Sequence, residues 1–171
     1  MKGNWTVVLL PLAVMAGLFI FGYFTLQENT AEMTNADLQE EMMLEMQEQQ
    51  LEWEWETQPQ DGVIGDNYIE IVTEDTELVD DLSVALYYAN EAIESEHEVF
   101  LTEDGVAAAY PTYIDNEITA GAIGEAVWEQ SGVESVRMYH TWAQAEPEEG
   151  ADLAEELEDQ ISGYYWVQEA E

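Results

Sequence analysis

Residues 5–26 form an apolar run without a charged side chain, beginning at Trp5 and ending at Leu26. As a helix this run would reach roughly 33 Å, enough to cross a bilayer core of about 30 Å. Residues 1–26 are therefore predicted to be a transmembrane anchor. The alternative is a cleaved signal peptide, but the run is long for one and no small-x-small cleavage site follows Leu26.

The orientation of this predicted anchor depends on Lys2, the one basic residue near it. Basic residues beside a membrane segment favour the cytoplasmic side. The prediction is a single-pass membrane protein with a cytoplasmic N-terminus and a C-terminal domain that is periplasmic or extracellular.

All 39 acidic residues of the chain follow the apolar run, and Arg137 is the one basic residue among them. Residues 27–171 therefore carry a net charge of −38. Such a surface repels phosphates, which excludes nucleic-acid binding. Two interpretations stay open: adaptation to high salt, where the Debye length falls to roughly 3 Å at 1 M, or a basic soluble partner such as a cytochrome-like carrier.

Residues 27–61 are rich in Glu, Gln, Met and Leu, which are good helix formers. They are predicted to form an acidic helical stalk that ends at Pro59. An apolar stripe along this stalk predicts contact with another protein through Met42, Met46, Trp53 and Trp55, because Met and Trp are adaptable anchors of large area. The alternative is a plain spacer helix.

Residues 62–171 alternate between predicted strands and predicted helices, which is typical of a small, open, mainly parallel α/β sheet flanked by helices. Period-two alternation indicates the strands, and helical spacing of apolar residues indicates the helices. The predicted strands cover residues 68–73, 97–101, 136–139 and 161–167, and the predicted helices cover residues 79–96, 118–131 and 152–159.

Three short motifs lie within this domain: Glu96-His97-Glu98-Val99, Asp104-Gly105-Val106 and Ser131-Gly132-Val133. Together with the order of elements they resemble the DsrE/DsrF-like sulfur-relay family. The resemblance covers residues 68–167 and implies a DsrE-like fold. The persulfide cysteine of that family would lie within residues 138–141, where this chain has Tyr139 and His140. The chain has no cysteine at all, so the resemblance implies a degenerate, catalytically silent relative.

The same resemblance implies that the last helix of the fold is truncated, since the chain ends shortly after Val167. We therefore expect an apolar sheet face with Tyr164, Tyr165 and Trp166 that needs cover from a partner.

Patterns for nucleotide, zinc or nucleophile sites are absent from the sequence. We predict no catalytic residue, no cofactor and no metal site, and an enzyme that uses Tyr139 or His140 is the weakest hypothesis. Arg137 is expected to pair with carboxylates inside the domain.

The leading functional hypothesis is a non-catalytic accessory subunit of a larger integral membrane protein complex. Its acidic domain would cap or stabilise that complex, or dock a basic soluble protein. The alternative is a binding module for sulfur compounds or for a cysteine-bearing sulfur-relay partner.

Overall fold

The chain divides into two compact units, Met1–Glu32 and Met33–Glu171, in the computed structural model. The structure describes residues 9–12, 14–20, 33–74, 81–89, 91–93, 97–114, 118–119, 121–129 and 132–170.

In the first unit, residues 9–12 and 14–20 are helical, and their large apolar side chains are exposed. Within the described part of the chain, no helix is both long and apolar enough to cross a bilayer. This finding contradicts the predicted transmembrane helix and the predicted single-pass localisation with a cytoplasmic N-terminus and a periplasmic or extracellular domain. Residues 5–8, 13 and 21–26 of the predicted segment lie outside the described residues.

The second unit consists mainly of strands, with two helices among its described residues. The helices are α1 (Asn35–Glu41) and α2 (Leu153–Ile161). The strands are β1 (Met43–Gln47), β2 (Gln50–Glu54), β3 (Asp66–Val72), β4 (Ser83–Tyr88), β5 (Glu91–Ile93), β6 (Glu98–Leu101), β7 (Gly105–Pro111), β8 (Tyr113–Ile114), β9 (Ile118–Thr119), β10 (Ile123–Val127), β11 (Ser135–Thr141) and β12 (Tyr165–Ala170).

These strands form two five-stranded sheets and one small pair. Sheet A has the order β1-β2-β10-β4-β5, sheet B has the order β12-β11-β3-β7-β6, and β8 pairs with β9. Every one of these pairings is antiparallel. The predicted parallel α/β, DsrE-like fold is therefore wrong.

The predicted helical stalk is also wrong, because most of its described residues form α1, β1 and β2. In β2 and the residue after it, Leu51, Trp53 and Trp55 are buried, while Glu52 and Glu54 between them are exposed. This period of two belongs to a strand with one face against a core. The helix-forming propensity of Glu, Gln and Met is a weak preference that such packing overrides.

The predicted helices over residues 79–96 and 118–131 are wrong for a similar reason. Leu82, Val84 and Leu86 are buried at alternate positions, which places β4 in sheet A. In the second segment, Gly124 and Ala126 are the buried residues of β10. By contrast, the structure confirms three predicted strands, as β3, β6 and β11, and the predicted short helix, as α2. The last predicted strand is displaced toward the C-terminus and is β12.

The inner faces of the two sheets pack against each other around one core. Trp53 and Leu86 of sheet A belong to this core together with Ile69, Ile71 and Met138 of sheet B, and all five are almost fully buried. Each sheet hides one apolar face in this way, as the two layers of a β-sandwich do.

Helix α2 covers part of the outer face of sheet B. Its buried residues Leu153, Leu157 and Ile161 pack with Tyr68 and Tyr139, which point outward from that sheet. The outer face of sheet B is therefore partly covered by the chain itself, and α2 forms a third layer beside sheets A and B.

Gly124 leaves the space that the indole of Trp53 occupies in the core. A Cβ at Gly124 would lie 2.2 Å from Cζ2 of Trp53, and the indole is held by a 2.9 Å bond from its Nε1 to the carbonyl of Gly121. We expect Gly124→Ala to lower the free energy of unfolding by about 2 kcal/mol, because overpacking forces a buried ring to move. Urea unfolding would measure this loss.

The matched control is the double variant Gly124→Ala with Trp53→Phe, because the shorter ring leaves room for the added methyl group. Adding Gly124→Ala to the Trp53→Phe chain should therefore lower the free energy of unfolding by less than adding it to the wild type. A Gly124→Ala chain with the wild-type urea midpoint would contradict the close contact.

Candidate functional site

Three glutamates form a straight row across the outer face of sheet A. Glu45 of β1 lies directly opposite Glu52 of β2, and Glu52 lies directly opposite Glu125 of β10. Side chains at directly opposite positions are only about 5 Å apart at their Cβ atoms. We call Glu45, Glu52 and Glu125 the glutamate row.

Two neighbouring side chains, Gln50 and Tyr87, orient Glu52 and Glu125 of this row. The amide nitrogen of Gln50 donates to Oε1 of Glu52 at 2.8 Å and to Oε2 of Glu125 at 2.7 Å. The hydroxyl of Tyr87 donates to the other oxygen of Glu125, and this hydrogen bond raises the pKa of Tyr87. Both oxygens of Glu125 therefore accept a hydrogen bond, which holds the carboxylate in one place.

A groove with a volume of about 320 Å³ lies over the row. Besides the three carboxylates, it is lined by Glu54 and by Met43, Ile123 and Tyr87, so its walls carry both acidic and apolar groups. Met43 is 57% exposed beside these carboxylates. The groove therefore joins a strong negative charge to an accessible apolar surface.

The one basic residue of this unit lies on the other sheet. Nη1 of Arg137 is 2.5 Å from Oδ2 of Asp104 and 3.3 Å from Oε2 of Glu70, and its Nε is 3.6 Å from Oε1 of Glu169. The hydroxyl of Tyr139 also donates to Glu70 at 2.7 Å. The predicted pairing of Arg137 with carboxylates is confirmed, and it follows that the unit has no base of its own left for the glutamate row.

His140 lies on the opposite side of β11 from Tyr139, inside the core. It is 1% exposed, and the rings of Trp55, Trp142 and Trp166 lie with their centroids 5.0 to 6.4 Å from its own. Its Nε2 donates to Oδ1 of Asn35 at 2.7 Å, while its Nδ1 has no hydrogen-bond partner among the described residues. Burial lowers the pKa of His140 to about 4, so the ring is neutral at pH 7.

Asn35 connects α1 to three other parts of the unit. Besides its contact with His140, its side-chain amide donates to the carbonyl of Gly62 at 2.6 Å, and its own carbonyl accepts from Nε1 of Trp166 at 2.7 Å. The side-chain amide of Gln39 also donates to a carbonyl of β12, that of Val167, at 2.9 Å. These bonds attach α1 to β12, the last strand of the chain.

The residues predicted for partner contact take different places. Met42, Trp53, Trp55 and Trp166 are buried in the core, Met46 is half-buried, and Tyr164 is 54% exposed. Core packing and hydrogen bonds account for most of these side chains, so they do not form one contact face. Tyr139 and His140, predicted as a degenerate family site, lie on opposite faces of one strand and are not brought together.

The glutamate row was not identified from the sequence, although a signal for it exists. In the segment from 43 to 54, Glu52 and Glu54 take alternate positions after a two-residue turn formed by Glu48 and Gln49, and Glu45 precedes that turn. Such spacing places them on one face of a hairpin. No group of three or more His, Cys, Asp or Glu residues in the described ranges is arranged to hold a metal ion.

No protein-family model matches this chain, and neither a curated protein nor a solved structure matches it. The resemblance to the DsrE/DsrF-like family therefore stays a prediction, while the fold that it implied is wrong.

Proposed function

We propose that this protein is a non-catalytic binding module that docks a basic protein partner on the outer face of sheet A. The observation that carries the proposal is the glutamate row, three carboxylates set directly opposite one another on adjacent strands.

The row is unfavourable for the unit on its own. Like charges directly opposite in a sheet destabilise it. One nitrogen of Gln50 bonds to both Glu52 and Glu125, so these two carboxylates lie within about 6 Å of each other. At that distance like charges repel by roughly 1 kcal/mol even in water, and a Debye length near 8 Å at physiological salt does not screen them. A partner that brings basic side chains would turn this repulsion into attraction.

Several features of the face suit a protein surface better than dissolved cations. Gln50 and Tyr87 hold the carboxylates of Glu52 and Glu125 in fixed positions, so little entropy of these two side chains remains to be lost on binding. Met43 and Ile123 offer apolar contact area beside the charges.

The proposal predicts that binding of a basic probe depends on this row more than on other acids. We would label oligolysine with a fluorophore and titrate it with the full chain at several salt concentrations. The triple variant Glu45→Gln, Glu52→Gln, Glu125→Gln should bind at least tenfold more weakly than the wild type, and the loss should shrink as salt rises.

The matched control removes the same charge elsewhere through Glu103→Gln, Glu148→Gln and Glu149→Gln, three exposed residues on the side of sheet B. This control should stay within about twofold of the wild type, because only the general attraction of the net charge is reduced. Equal weakening in both triple variants would mean that the whole acidic surface, and not the glutamate row, attracts the probe.

A further inference from the structure

Strand β1 is an edge strand of sheet A, paired with β2 on one side. The N–H of Trp55 donates to the carbonyl of Ala122, and the N–H of Trp128 donates to the carbonyl of Gln49. The backbone groups at odd-numbered positions of β2 and its flanks therefore point toward β10. Even-numbered positions of β2 therefore bond toward β1. By the register of the pair, the backbone groups of Leu44 and Met46 point to the free edge.

This edge carries one of the devices that usually prevent pairing with another chain, the charge of Glu45, which repels an acidic strand and attracts a basic one. β1 contains no proline and no lysine, and its inward side chains are apolar. Leu44 and Met46 pack against the core but are only half-buried, and among the described residues β1 pairs with no strand on its free side, although β12 comes close to it. An added strand would cover both side chains and use the free backbone groups.

The glutamate row ends at this same edge. Glu45 is its last member, so the next position across the sheet is the place directly opposite Glu45 on an added strand. A basic side chain there would stand about 5 Å from Glu45 and continue the row with the opposite charge. Its neighbours on that face would lie beside Met43 and Gln47.

We propose that the basic partner adds an extended strand to the free edge of β1, with basic side chains on the outer face and apolar ones turned toward Leu44 and Met46. This inference depends on the proposed function, since it names the way in which the same face recognises its partner. Backbone pairing would supply affinity, and the alternation of basic and apolar residues would supply specificity.

The test uses the acetylated and amidated peptide Lys-Val-Lys-Val-Lys, whose pattern is the same in both directions, and the full chain. We expect it to bind and to slow hydrogen exchange at the backbone amides of Leu44 and Met46. A peptide with N-methyl groups on both valines keeps every charge and side chain but lacks the two donors for strand pairing. It should bind about tenfold more weakly.

Two further results distinguish the two proposals. If the N-methylated peptide binds as well as its parent, and both weaken in the variant Glu45→Gln, Glu52→Gln, Glu125→Gln, strand addition is wrong while docking on the acidic face stands. If the parent peptide binds that variant and the wild type equally, the proposed function itself fails. Slowed exchange at Leu44 and Met46 without any effect of N-methylation would also overturn strand addition.

Discussion

Replacement of Arg137 by glutamine is expected to lower the free energy of unfolding by about 4 kcal/mol, the largest loss that we predict for a single substitution. Arg137 joins β11 to Glu70 of β3, Asp104 before β7 and Glu169 of β12. Glu70 is 1% exposed, so without the guanidinium its carboxylate would stay buried with only Tyr139 as donor. The hydrogen bond to Asp104 raises the pKa of Arg137 further, so the side chain stays charged at every pH of interest.

Urea unfolding at fixed salt would measure this loss as a shift of the midpoint with an unchanged slope. The double variant Glu70→Gln with Arg137→Gln should recover part of the stability, because it removes the unpaired buried charge. Glu169→Gln should cost much less, since Glu169 is half exposed and its oxygen lies 3.6 Å from Nε. An Arg137→Gln chain that unfolds like the wild type would show that the network contributes nothing.

His140 is expected to make the domain lose stability in acid, by about 3 kcal/mol between pH 6.5 and pH 4. Its pKa is about 4 in the folded protein and near 6.5 when unfolded, so the unfolded chain binds the extra proton first as the pH falls. The contribution of neutral His140 is complete above pH 6.5, decreases through this window and is lost below pH 4. Asp61 faces the ring and limits the shift, because its carboxylate favours the charged imidazole.

The measurement is the difference in unfolding free energy between the wild type and His140→Gln at each pH. A difference is needed because acid also neutralises carboxylates and relieves the repulsion among them. Glutamine can still donate to Asn35 but does not titrate, so the difference should change by about 3 kcal/mol across the window. His97→Gln removes the exposed histidine and serves as the control. A difference that is constant from pH 7 to pH 4 would contradict a neutral, buried His140.

The parts of this fold that could be predicted from the sequence are those with an unambiguous local signal. The alternation in β3 and β11 contains β-branched and aromatic residues, which marks these strands clearly. Helix α2 begins at Asp152, which accepts a hydrogen bond from the N–H of Glu155 as a helix cap does. The pairing of Arg137 with carboxylates can be predicted from charge alone, because a single base among 39 acids has many possible carboxylate partners.

Residues 50–55 carry two conflicting local signals, a helix-forming composition and a period-two alternation. Leu51, Trp53 and Trp55 alternate with glutamates, but the abundance of helix formers around them favoured a helix. The glutamate row depends on which strands are neighbours. β10 joins β2 from a distance of about 70 residues in the sequence, and no local pattern reports that Glu125 will lie opposite Glu52.

The bonds that attach α1 to β12 have a consequence for how the protein is made. Asn35 and Trp166 are separated by 131 positions, and Gln39 and Val167 by 128. During synthesis α1 leaves the ribosome long before β12 has been translated. The bonds between α1 and β12 can therefore form only at the end of synthesis. The acidic face likewise exists only after β10 has been translated, because Glu125 comes from that strand. A nascent chain that stops short of β12 therefore lacks the two bonds that join α1 to Trp166 and Val167.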